Sequence, residues 1–98
     1  MAERLTIEKD GGVTTEIVSS DNYGIVTSTK NLCLAASSGY KLELWGEAVQ
    51  LGPNGPTITW GKAPAPGSPS EYKPGSLHVS EGGSLWITNS NKQWTRVQ

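Results

Sequence analysis

The sequence predicts an all-β fold: short strands forming an intertwined trimeric β-structure, followed by a C-terminal β-meander. Three observations point there. Apolar residues recur with period two in short stretches between Gly, Pro, Asn and Ser breaks, and no stretch carries an apolar stripe at helical spacing. Only 19 of 98 residues are Leu, Ile or Val, and Phe is absent, so one chain is short of core. Net charge is -1, with four Trp and three Tyr, which separates the chain from the highly charged, aromatic-poor composition of disordered segments. A small domain short of core recruits disulfides, a metal or further subunits. With Cys33 the only cysteine and His78 the only histidine, oligomerisation is the remedy left.

The elements follow in order. Leu5 to Lys9 reads as a strand, Asp10-Gly11-Gly12 as a turn, and Val13 to Val18 as a β-branched strand. Ser19 to Gly24 is a loop. Very short strands are expected at Gly24–Thr27, Asn31–Ala35, Tyr40–Trp45, Glu47–Leu51 and Thr57–Trp60. Within them the pairs Leu32/Leu34, Leu42/Leu44, Val49/Leu51 and Ile58/Trp60 are each two residues apart and therefore on one face of their strand. Such strands are too short to make a stable sheet alone, but winding three chains together stacks one pair per turn from every chain into a shared core. These eight residues are the expected trimer core. A monomeric β-sandwich or barrel accommodates the same alternation.

Residues 1–60 thus form an N-terminal β region with short-strand repeats. Residues 61–74 hold four of the six prolines, each of which fixes φ and removes a ladder donor, so this stretch is expected as an extended linker or arm. Residues 75–98 carry the clearest local signal. Gly75 to Ser80, the turn Glu81-Gly82-Gly83 and Ser84 to Thr88 make a hairpin, with Leu77, Val79, Leu85 and Ile87 on one face and His78, Trp86 and Thr88 on the other. Asn89 to Lys92 turns the chain into a last strand, Gln93 to Val97, which completes the meander.

Chemistry is sparse. One cysteine and one histidine in separate strands lack an orienting Asn or Asp, so no nucleophile is assembled and the chain is not expected to be an enzyme. Cys33, in an apolar strand, is expected as a small buried hydrophobe. The nine acidic residues are scattered without metal-ligand spacing, and no cofactor or metal is expected. Near-neutral charge and a pI of about 5.7 lack the Lys/Arg cluster that nucleic acid demands. The first residues, MAERLTIEKDGG, hold no apolar run fit for a leader or a membrane span, so a protein made in a cytoplasm is expected. Trp45, Trp60 and Trp94 are expected as core or intersubunit filler. Tyr72 in the Pro-rich arm and Trp86 in the hairpin are the aromatics expected to face outward and touch a partner, and an aromatic face of this kind also suits a glycan.

The segment Lys73-Pro-Gly-Ser-Leu-His-Val, with Glu-Gly-Gly-Ser-Leu-Trp-Ile and Gln-Trp-Thr-Arg-Val after it, resembles a pattern of bacteriophage fibre and virion-surface proteins. The residues that carry it are Gly75, Ser76, Leu77, Gly82, Gly83, Leu85, Trp86, Ile87, Trp94 and Val97. Asn31 through Gly52 is similar to the shaft repeats of trimeric phage fibres. The resemblance covers roughly half of the chain. It implies a homotrimer on the virion surface, made in the host cytoplasm, that decorates or cements the capsid through the major capsid protein or another virion protein, or forms a short head fibre. The chain is short and carries no recognisable receptor-binding tip, which favours decoration over host adhesion. The alternative is a carbohydrate-binding or tail-fibre adhesion module using Trp86 or Trp60 as a stacking platform.

Overall fold

The computed structural model describes residues 3–98, and within them the chain is all-β, with eight strands and no helix. Two compact units divide it, Met1–Leu42 and Glu43–Gln98. The division falls before β4, whereas the sequence places its boundary in the Pro-rich stretch at 61–74.

The first unit is an antiparallel sheet of β1 (Glu3–Glu8), β2 (Thr14–Ser19) and β3 (Gly24–Ser28), in that order. The expected Asp10-Gly11-Gly12 turn is present: the Gly12 N–H donates to the Lys9 carbonyl at 2.8 Å, and Gly11 takes a φ of 68° that suits glycine. Pairing sets Leu5 opposite Ile17 and Ile17 opposite Val26, and all three side chains are exposed on one face. On the other face Arg4 pairs with Glu16 at 2.9 Å. After β3 the backbone runs on without regular structure, so the strands expected at Asn31–Ala35 and Tyr40–Trp45 do not form. Their alternation is real, but no neighbouring strand within the chain supplies a ladder.

The second unit is a five-stranded sheet with the order β4 (Ala48–Gln50), β5 (Thr57–Gly61), β6 (Leu77–Ser80), β7 (Leu85–Thr88) and β8 (Trp94–Arg96). The last three strands are the expected meander. It does not stand apart, because β5 pairs with β6 in parallel while every other neighbour is antiparallel. A parallel neighbour requires a crossover of about a dozen residues or more, and 62–76 is that crossover. It is pinned rather than free. The Gly67 N–H donates to the Trp94 carbonyl at 2.9 Å, the Trp94 N–H to the Ser68 carbonyl at 3.1 Å, and the Ser70 N–H to the Lys92 carbonyl at 2.8 Å. Pro69, with no N–H to give, bridges to Gln93 within this run.

The crossover decides which face of the sheet is inside. Thr57, Thr59, His78, Ser80, Trp86, Thr88 and Trp94 alternate onto one face, and all are buried. Val49, Ile58, Trp60, Leu77, Val79, Leu85 and Ile87 alternate onto the other, where none is buried. The covered layer is therefore aromatic and hydroxylic, and the aliphatic layer is the less covered one, with Val79 and Trp60 exposed and the others half-buried. Trp86, expected to face outward, is only 5% exposed because it lies opposite His78 in the register of β6 and β7.

Candidate functional site

Beneath the crossover, polar side chains are stitched to backbone. Ser76, wholly buried, accepts from the Thr57 N–H at 2.9 Å through Oγ, while its own N–H donates to Thr88 Oγ1 at 2.9 Å. The Thr88 hydroxyl donates to the Lys73 carbonyl at 2.7 Å. One serine and one threonine thus tie β5, the end of the crossover and β7 together, which satisfies donors that burial would otherwise leave unpaired. Farther along, Thr59 Oγ1 lies 2.7 Å from His78 Nδ1, and the His78 ring meets Trp94 edge-on at 5.8 Å between centroids. His78 Nε2 and Trp86 Nε1 are buried without hydrogen-bond partners, and they belong to residues directly opposite one another across β6 and β7.

An open cleft of about 330 Å³ lies at this end of the unit, lined by Glu47, Thr59, Trp60, Pro64, Tyr72, His78 and Trp94. Tyr72 is half-buried rather than outward-facing, held against the unit by the turn in which its N–H donates to Ser70 Oγ at 3.0 Å. Loss of solvent around the phenol, then the charges of Glu71 and Glu47, push its pKa above the ordinary 10.0. The cleft combines aromatic surface with one carboxylate and a phenol. Its lining also holds the Thr59 hydroxyl and the His78 imidazole that lie 2.7 Å apart, and among the described residues no three His, Cys, Asp or Glu side chains converge to hold a metal ion.

The opposite face of the sheet has another character. No strand of the unit lies across Val49, Ile58, Leu77, Val79, Leu85 and Ile87. Val79 is 50% exposed and Trp60 45%. Of the residues expected to build a trimer core, the structure gathers Val49 and Ile58 on this face, with Trp60 at its margin, where it also borders the cleft. Leu51 lies just past β4 and is exposed. Leu32, Leu34, Leu42 and Leu44 are exposed on the strandless segment 31–45. Within that segment the one backbone–backbone hydrogen bond closes a turn, from the Tyr40 N–H to the Ser37 carbonyl at 3.0 Å, with Gly39 at a φ of 89°. The turn is hairpin-like, yet the arms on either side of it do not pair.

Three expectations for this region need correction. Cys33, expected buried, is exposed, because with no layer against the segment both faces of its alternation are open. Trp45, expected as core or intersubunit filler, is 89% exposed within the chain, which removes the core half of that expectation. Trp86 does not serve as an outward contact, being covered with His78 and Trp94 under the crossover. The aliphatic quartet Leu77, Val79, Leu85 and Ile87 was visible in the sequence as one face. Its membership of the same surface as Val49 and Ile58 was not, since that depends on the parallel register of β5 and β6.

Comparisons of the chain with models of protein families, with characterised proteins and with solved structures found no match.

Proposed function

We propose that the chain is a structural, non-enzymatic protein of a bacteriophage particle that acts as a homotrimer on the virion surface, decorating or cementing the capsid through contacts with the major capsid protein or another virion protein. One observation carries the assembly half of this reading. The segment 31–45 is extended, bears leucine pairs at period two and leaves its backbone groups without ladder partners. Equivalent segments of two further chains supply what is missing: strand neighbours for the backbone and an apolar layer for Leu32, Leu34, Leu42 and Leu44. Burying the half of each leucine left open contributes on the order of 1 kcal/mol per leucine, offset in part by the entropy of association. The phage half rests on the resemblance of 31–52 and 73–97 to fibre and virion-surface patterns. The mechanism is adhesion, with added contacts between capsomers stabilising the shell by mass action rather than chemistry.

Sedimentation equilibrium of the full chain tests assembly, with the expected mass about three times the 10.4 kDa protomer. A monomer at all concentrations overturns it. Co-sedimentation with phage heads stripped of surface proteins tests the location, and failure to bind any such head removes the capsid role while leaving the trimer.

The aromatic cleft favours a second reading, a carbohydrate-binding module. A pyranose presents one apolar face for stacking and an edge of hydroxyls for Glu47, Thr59 and Tyr72. Tryptophan fluorescence titrated with glucose, galactose and N-acetylglucosamine reads this directly. Saturable quenching in the wild type that is lost in Tyr72→Ala supports it, and a flat response to all three sugars rejects it.

A further inference from the structure

We infer that the sugar suited to the aromatic cleft is a cationic amino sugar, whose pyranose ring lies against the aromatic wall while its ammonium group pairs with Glu47. The inference rests on the second reading above, the sugar-binding module, and names the class of sugar.

Three observations carry it. The first is an unmatched charge. Glu47 is the one carboxylate in the wall of the cleft, and no Lys or Arg stands in that wall beside it. Lys62, Lys73, Lys92 and Arg96 lie within two residues of a lining side chain, yet all four are exposed and none belongs to the wall. Among the described residues Glu47 makes no ion pair. The second is the field at the aromatic wall. After loss of solvent, the charges that raise the Tyr72 pKa are those of Glu71 and Glu47, so two carboxylates act on the same side of the cleft. A negative field at aromatic rings favours a cation there and repels an acidic sugar. The third is shape and surface. Trp60, Tyr72 and Trp94 share the lining with Pro64, which suits the apolar face of a pyranose. The volume of about 330 Å³ is at the small end of the range for small-molecule sites and fits one sugar unit rather than a long segment of chain. A neutral sugar offers Glu47 hydroxyl donors alone, which bind a carboxylate more weakly than an ammonium does. N-acetylation removes the same charge. Only the free amine answers both the carboxylate and the rings.

Tryptophan fluorescence of the full chain, titrated at neutral pH with glucosamine, glucose and N-acetylglucosamine at low and high salt, tests the inference. One exposed ion pair and one cation–π contact lead us to expect glucosamine to bind about tenfold more tightly than either neutral sugar at low salt, with the advantage shrinking as salt is added. Glu47 is exposed, so Glu47→Gln is expected to fold, and it should bring glucosamine down to the level of the neutral sugars. Equal affinity of the wild type for all three sugars overturns the inference and leaves the sugar-binding reading standing. A flat response to all three overturns both. An advantage that Glu47→Gln retains in full also overturns the inference, because the ammonium then pairs elsewhere.

Discussion

Ser76 shows how much of the second unit depends on single polar atoms. Its hydroxyl is the partner of the buried Thr57 N–H, so Ser76→Ala leaves that donor unpaired and lowers stability by about 1–3 kcal/mol, read as a shift in the urea midpoint. Ser76→Thr, which keeps the hydroxyl, restores part of that loss if its extra methyl is accommodated. Gly55 is constrained differently. A Cβ there would overlap the carbonyl oxygen of Leu51, a backbone atom that cannot swing aside. Gly55→Ala is expected to cost about 1–3 kcal/mol in thermal unfolding, while the same change at Gly24, where a Cβ meets nothing, costs far less. Tyr72 supplies a pH signature. Its folded pKa is raised, so folding favours the neutral phenol. The contribution is present below the unfolded value and is lost as pH rises from 10.0 through the folded pKa. A spectrophotometric titration in which the wild type minus Tyr72→Phe difference has its midpoint above 10.0 is the expected outcome.

At the scale of elements, what the sequence revealed is what is local. The Asp10-Gly11-Gly12 turn and the hairpin from Leu77 to Thr88 are legible because turn chemistry and alternation sit within a dozen residues. The parallel pairing of β5 and β6 is not, because it joins strands on either side of fifteen intervening residues and those residues resemble a linker by composition. That one pairing carried the largest consequence, since alternation says only that two faces differ and the crossover selects which is covered. His78 and Trp86 were visible as a cross-strand pair, yet their burial depends on the crossover folding back over them, which alternation does not show. The segment 31–45 is the converse case: its alternation was read correctly, and its partner strands are absent from the chain. Hydrogen exchange tests the resulting expectation. Amides of 31–45 should exchange within seconds in dilute monomer and become protected on assembly, while those of β6 and β7 stay protected in both. Fast exchange of 31–45 in a verified trimer would remove this segment from the trimer contact.

For the whole molecule, the balance of burial is the governing fact. The buried apolar side chains of the core are Trp86 and Trp94, and the first unit is a single layer with Leu5, Ile7, Ile17 and Val26 all exposed. A single chain so arranged has little apolar burial to offset its conformational entropy, so most of its stability is expected to come from association. The midpoint of thermal unfolding should therefore rise with protein concentration, by several degrees per tenfold. A midpoint independent of concentration across the range in which the trimer forms and dissociates would show that each chain folds on its own account.

The pinned crossover has one more effect, on where growth can occur. With the N–H and C=O of Trp94 taken by Ser68 and Gly67, the β8 edge of the sheet is largely capped, and β4 is the edge left free. Within this sheet strand addition can proceed only at the β4 edge, while the three-stranded sheet keeps both of its edges, β1 and β3. The proline segment thus acts as a terminator on one side of the second unit.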